Sequence, residues 1–219
     1  MPYKLSPSTL NLLHECPRCF WLTTHEQWKR PAGIFPSLPS GMDGILKKHF
    51  DKYMEKGQLP PELRSNLECV NYKLFDDREL LRDWRNARKG LWYEDSAGNA
   101  LHGGIDNLLV DKVSGKLIVM DYKTRGFPLK EDTAAHYQDQ LNIYAFLLER
   151  MGKKVEDFAY LLFYHPTEVL DSGAVVFHTD LKRMQVSSAS AEKLFAGAVK
   201  MLDEACPKES CEWCVGVGK

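Results

Sequence analysis

"IVMDYKTRG", residues 118–126, is the stretch on which the rest of the chain turns. Ile118, Val119 and Met120 read as a buried strand, and Asp121 and Lys123 follow at once. Side chains two apart on a strand point to the same side. A carboxylate and an ammonium therefore stand together where the strand leaves the core. Upstream, "LHGGIDNLLVD" (101–111) reads as a second strand, joined to "KLIVMDYKT" (116–124) through "KVSG", a hairpin-turn sequence. Asp106 lies early in the first strand, and Asp121 and Lys123 lie late in the second. Antiparallel pairing sets the start of one strand opposite the end of the next. Two carboxylates and a lysine are thus expected at one edge of a sheet.

That grouping has a chemistry. Hard divalent cations take carboxylate, carbonyl and water oxygens. Two aspartates supply two ligands and leave room for water and a phosphate, and the cation polarises both. A lysine beside them can orient the attacking water or stabilise developing negative charge. An Asp and a Lys two apart also describe an ordinary solvated ion pair; it is the convergence with Asp106 that points to phosphodiester hydrolysis.

The flanking sequence places these strands in an α/β chain. "LSPSTLNLLHECPRCFWL" (5–22) reads as a helix, with Ser6 as N-cap and Pro7 at its first position. "RPAGIFPSLPSG" (30–41) is expected to be loop, and "MDGILKKHFDKYME" (42–55) returns to helical periodicity before "GQLPPEL" breaks it. "DDRELLRDWRNARKGLW" (76–92) predicts an amphipathic helix. Leu80, Trp84, Ala87 and Leu91 lie on one side, with Arg78, Arg82, Arg85 and Lys89 as a basic stripe on the other. "TAAHYQDQLNIYAFLLERMG" (133–152) is a long helix ending at Gly152. "FAYLLFYHP" (158–166) and "GAVVFHTD" (173–180) are further strands, and "SASAEKLFAGAVKMLDEA" (188–205) a last helix presenting Leu194, Ala198 and Met201. Helices around a central group of strands give the α/β class.

With 219 residues, 44% of them hydrophobic, the chain can bury one sizeable core. A formal net charge of −1 names no partner, so any nucleic-acid contact must be local; the basic stripe could track a phosphate backbone, but a solvated helix face is the commoner explanation and these residues are not assigned to a site. No apolar run approaches the roughly 20 residues of a membrane span. The N-terminus lacks a signal peptide's apolar segment, so a soluble cytoplasmic protein without membrane contact is expected. The ending "CVGVGK" lacks the spacing and following Ser/Thr of a phosphate-binding loop, which argues against an ATPase.

The ordered motifs resemble those of the PD-(D/E)XK nuclease superfamily, in its RecB-like and CRISPR-associated adaptation-nuclease branch. Gly103 and Asp106 match the "GxxD" element, Asp121, Tyr122 and Lys123 match "(D/E)xK", and Gln140 and Tyr144 match "QxxxY" on the following helix. The resemblance implies a restriction-endonuclease-like core with a mixed central sheet flanked by helices. It spans most of a single domain over 1–219, with the nuclease core at about 92–180. It implies Mg²⁺ or Mn²⁺ on Asp106 and Asp121, with the Tyr122 carbonyl as a further ligand and Lys123 as the catalytic lysine. Gln140 and Tyr144 would support the site or contact DNA, although Leu141, Tyr144 and Leu148 also form an apolar stripe that core packing would explain. The branch adds a histidine from an earlier helix, for which His49 is the candidate and Asp43 the alternative acid; His102, His136, His165 and His178 receive no role. The implied function is DNA cleavage, of exonuclease type, in repair, recombination or CRISPR adaptation. Its substrate would be single-stranded DNA or DNA with free ends, and a helicase or CRISPR adaptation protein would be a separate partner. The alternative is a non-catalytic nucleic-acid-binding module of the same fold.

Six cysteines are unevenly placed: Cys16 and Cys19, Cys206, Cys211 and Cys214, with Cys69 alone. Such clusters in a reducing compartment point to a metal before disulfides. Segments 1–30 and 200–219 are thus expected to be stapled by a cysteine-bound centre. The two "CxxC" pairs, by spacing, point to zinc. The resemblance implies a [4Fe–4S] cluster, with Cys16 as first ligand, Cys206, Cys211 and Cys214 as the later three, and Cys19 surplus.

Overall fold

The computed structural model describes residues 2–31, 33 and 36–217. Its centre is a five-stranded mixed sheet in the order β2 (Tyr72–Leu74), β5 (Asn107–Asp111), β6 (Leu117–Thr124), β7 (Phe158–Val169), β8 (Val175–Gln185). β6 and β7 run parallel and the other neighbours antiparallel. A second, three-stranded sheet joins β1 (Lys4–Leu5), β4 (Ala100–Gly103) and β3 (Leu91–Glu94).

The β5–β6 turn forms as expected. Asp111 Oδ1 accepts from Val113 N–H at 2.7 Å, and Gly115 takes φ +70°, a left-handed conformation that glycine adopts without Cβ strain. The expected first strand, however, is two. The chain leaves β4 at Gly103, bends through Gly104–Asp106 and enters β5 in the other sheet. Both glycines are explained by crowding. A Cβ on Gly104 would lie 2.8 Å from the Arg85 carbonyl oxygen, and one on Gly103 would lie 2.9 Å from the Tyr144 ring.

β7 is buried along its first eight residues, as suits a central strand covered on both faces. β8 is longer than its apolar signal, continuing through Asp180, Lys182 and Arg183. It is the half-exposed edge strand, where charges discourage further strand pairing. The parallel β6–β7 pair needs a crossover, supplied by a 3₁₀ turn (Thr133–Tyr137) and α6 (Gln138–Arg150). Leu141 to Leu148 are all buried, because α6 lies between the β6 region, the small sheet and α7 (Ser188–Asp203). On α7 the core face is Ala191, Phe195, Ala198 and Leu202. Leu194 and Met201 are only partly buried, so the expected face is rotated.

The first expected helix is broken in two, α1 (Pro7–Glu15) and α2 (Pro17–Thr24). A residue before proline is pushed out of the helical region, and Cys16 sits extended at φ −163°, ψ 109°. Ser6 caps α1, exchanging hydrogen bonds with Thr9. α3 (Ser37–Glu55) starts inside the segment read as loop, because Pro39 falls in its first turn, where no N–H partner is lost. Ala32, Ile34 and Phe35 of that segment lie outside the described residues. α4 (Pro61–Arg64) begins inside the stretch read as a break, with Pro61 at its first position.

α5 (Arg78–Trp84) stops well short of the helix expected over 76–92. Asn86 accepts from the N–H groups of Arg88 and Lys89 at 2.9 and 3.1 Å, a local alternative to helical bonding. Ala87 and Leu91 therefore leave the helix, and Lys89 lies in the turn. The basic stripe dissolves with it. Arg85 turns inward to Asp51, and Arg78 pairs with Glu55.

Candidate functional site

β6 delivers Asp121 and Lys123 to one face of the large sheet, the face covered by α6. Tyr122 points to the other, where its ring meets Phe50 of α3 at 4.7 Å between centroids. Asp121 is 2% exposed, and the Lys123 ammonium lies directly against its carboxylate. That ammonium also stands 4.7 Å from the centre of the Tyr137 ring. Asp106, on the bend before β5, aims back at β6. Its Oδ2 accepts from the Tyr122 N–H at 3.0 Å, and its backbone carbonyl accepts from Arg85 Nε at 2.9 Å. The β4–β5 break is what makes this possible, since a continuous strand would have spent that N–H on ladder bonding. Asp106, Asp121, Tyr122 and Lys123 thus come together.

The electrostatics of the pair are uneven. Burial first, and then the charge of Asp106, push the Asp121 carboxyl up to about 7; Lys123 opposes this without overcoming it. A second negative charge so close is costly to a buried carboxylate. Two neighbouring carboxylates in this state match the donor set of a hard divalent cation, whose charge would relieve their repulsion.

α6 brings Gln140 and Tyr144 to the same place, one turn apart on one face. Gln140 Nε2 donates to the Tyr144 hydroxyl at 2.8 Å. Burial, with the nearby Asp121 charge, holds the Tyr144 phenol strongly protonated. Its ring rests on Gly103, where the missing side chain leaves space for the tyrosine.

His49 is not gathered with these residues. Its Nε2 meets the Glu62 carboxylate at 3.0 Å, and Glu62 also accepts from the Tyr164 hydroxyl at 3.1 Å. That cluster lies on the Tyr122 face of the sheet, because side chains alternate along β6 and β7. The α3 residue that does reach the acids is Lys47. Its ammonium lies 3.0 Å from Asp106 Oδ1 and 2.8 Å from Asp43 Oδ2. Asp43 therefore touches the site at one remove, through Lys47. A "KK" pair on an amphipathic helix resembles its solvated face, so only the three-dimensional path of α3 reveals Lys47.

A second centre forms between the α1–α2 junction and the C-terminal tail. The thiols of Cys16, Cys19, Cys211 and Cys214 all lie within 4.8 Å of one another, packed with Leu22 and flanked by Trp21 and Trp28. Cys206, expected among the ligands, is not in this group; Arg18 Nη1 donates to its sulfur at 3.3 Å. Burial resists ionisation of Cys211, but backbone N–H donors from Cys214 and Trp213 outweigh it and bring its thiol down to about 6. Burial drives Cys19 the other way, up to about 12. Cys69 is alone in the main core, its thiol raised to about 11 by burial. Of the terminal "CVGVGK", Gly218 and Lys219 lie outside the described residues.

Among the described residues, no helix is long and apolar enough to cross a membrane. No curated protein matches the chain. Among solved structures, one described as "Crystal structure of SSO0001" aligns with a TM-score of 0.41 and 14% identity, covering 98% of this chain and 82% of that one. The family model of the PD-(D/E)XK nuclease superfamily matches residues 4–215, a span that holds both carboxylates, the lysine, the "QxxxY" pair and all six cysteines. With its motif residues converging at the end of β6, the chain belongs to the PD-(D/E)XK nuclease superfamily.

Proposed function

We propose that this protein is a divalent-metal-dependent deoxyribonuclease of exonuclease type, in the RecB-like branch of its superfamily. The observation that carries the reading is the convergence of Asp106, Asp121 and Lys123, with Asp106 anchored to the Tyr122 N–H. Asp106 and Asp121 would hold Mg²⁺ or Mn²⁺, with the Tyr122 carbonyl as a further ligand. The bound ion would supply Lewis acidity toward the phosphoryl oxygen and lower the pKa of water.

The chain's own residues do the rest. Asp121, in its carboxylate form, sets the Lys123 ammonium in place on a rigid strand. Lys123 orients the attacking water and stabilises the negative charge that grows on the phosphate. Gln140 and Tyr144 fix the wall opposite, and the hydrogen bond between them leaves the second Gln140 amide hydrogen and its carbonyl available to substrate or water. Lys47 balances Asp106 and Asp43. The substrate is DNA, single-stranded or with free ends, and a helicase or a CRISPR adaptation protein would act as a separate partner in repair, recombination or adaptation.

Incubation of the purified chain with end-labelled linear and closed circular DNA, with Mg²⁺, Mn²⁺ or EDTA, tests this. Metal-dependent shortening of linear DNA with circles spared is expected. DNA binding without cleavage under every condition would instead establish a non-catalytic binding module.

A further inference from the structure

The motifs' resemblance implies a [4Fe–4S] cluster on Cys16, Cys206, Cys211 and Cys214. The thiols fit neither that ligand set nor that spacing. We infer that Cys16, Cys19, Cys211 and Cys214 form a closed, tetrahedral site for a single zinc-class ion. Cys206 stands outside it. The inference is independent of whether the chain cleaves DNA.

The sulfur separations carry the argument. Cys16 and Cys214 are 3.8 Å apart, Cys211 and Cys214 3.8 Å, and Cys19 and Cys211 3.5 Å. An ion holding four thiolates at about 2.3 Å sets tetrahedral edges of about 3.8 Å. In a four-iron cube each thiolate bonds a different corner, and the bonds radiate outward. The sulfurs then stand farther apart than they do around one shared ion. A disulfide does not describe the group either, since four thiols rather than two converge and separations of 3.5–3.8 Å far exceed a bond.

Local chemistry explains why these four sulfurs meet. Pro17 forces Cys16 into extended backbone, and the chain restarts at once as α2. The Cys19 N–H then donates to Cys16 Sγ at 3.4 Å, folding the first "CxxC" into a knuckle. In the tail, the N–H groups of Cys214 and Val215 both donate to the Cys211 carbonyl, at 3.2 and 3.0 Å, turning the second "CxxC" back on itself. Each pair presents two sulfurs, and the pairs face one another. Four thiolates on a divalent ion leave two excess negative charges. Arg30 answers them, with Nε 3.4 Å from Cys19 Sγ and Nη2 3.8 Å from Cys211 Sγ. All four positions are filled by protein sulfur, leaving no open position for water or substrate, so the ion is structural. Its work is to fasten an irregular tail to the α1–α2 junction, closing a loop of almost the whole chain.

The test is metal analysis of the full chain purified anaerobically, as wild type and as Cys19→Ser and Cys206→Ser. The expected wild type is colourless, with one zinc per chain and neither iron nor acid-labile sulfide. Cobalt exchanged into it should show the intense visible bands of a tetrahedral thiolate site. Cys206→Ser should keep its full metal content, and Cys19→Ser should lose at least about tenfold in zinc affinity. A brown wild type with stoichiometric iron and sulfide would overturn the inference, as would colour that survives Cys19→Ser and vanishes in Cys206→Ser. A stable wild type with no metal would overturn it too. If Cys19→Ser fails to fold, the wild-type metal content and the cobalt spectrum decide alone.

Discussion

Lys47 Nζ lies 3.0 Å from Asp106 Oδ1, so one of the two acidic groups expected to bind metal already has an internal cation. The ammonium is shared with Asp43 at 2.8 Å. A divalent ion arriving at Asp106 must compete with it, and a lysine already satisfied by two carboxylates is held in place. Lys47→Met keeps the aliphatic stem and removes the charge. Mn²⁺ binding measured by calorimetry should tighten, by about tenfold if about 1.4 kcal/mol of competition is lifted. Unchanged or weaker Mn²⁺ binding would mean that Lys47 does not compete for the site.

The Asp121 carboxyl should make the metal-free protein sensitive to pH. Its value is raised from an ordinary 3.8 to about 7. The folded state then binds the proton more tightly than the unfolded chain does. This contribution is complete below the unfolded value, and it declines as pH rises through the window up to about 7. In EDTA, wild-type stability should therefore fall between about pH 4 and 7 more steeply than that of Asp121→Asn, which cannot titrate. Thermal melts of the two proteins across that range give the comparison directly. Parallel curves would place the raised carboxyl elsewhere.

Gly103 supports the site by having no side chain. A Cβ there would come within 2.9 Å of Tyr144 Cε1. Tyr144 is 5% exposed and cannot swing freely, so Gly103→Ala should cost about 1–3 kcal/mol through overpacking. Urea denaturation should show the loss, and Gly103→Ala should cost less in a Tyr144→Ala background than in the wild type, because the clashing ring is gone. A Gly103→Ala protein of wild-type stability would show that the ring has space to move.

The legibility of this site followed from how locally each part is encoded. Asp121 and Lys123 could be read because period-two alternation needs only one strand. Asp106 could be placed near them through the hairpin. The break at Gly103–Gly104 could not, since it arises from the Arg85 carbonyl and the Tyr144 ring, both distant in sequence. Helix periodicity over 76–92 overran because Asn86, a local hydrogen-bonding competitor, ended α5 early. Motif resemblance points to His49, yet helix geometry turns it toward Glu62 and turns Lys47 toward Asp106. The cysteines show the same division. "CxxC" spacing identified the four thiols that meet, whereas resemblance alone brought in Cys206.

In the proposed function Asp106, Asp121 and Lys123 form one hydrolytic centre, with Lys123 acting on the reacting phosphate. Single-turnover cleavage of end-labelled DNA by wild type and Lys123→Ala, at saturating Mn²⁺ confirmed by calorimetry for both, tests it most directly. Lys123→Ala should keep intact Mn²⁺ binding and lose about 100-fold or more in the cleavage step, as for removal of one electrostatic stabiliser from an active site. A Lys123→Ala protein that binds Mn²⁺ and cleaves DNA at the wild-type rate would contradict it.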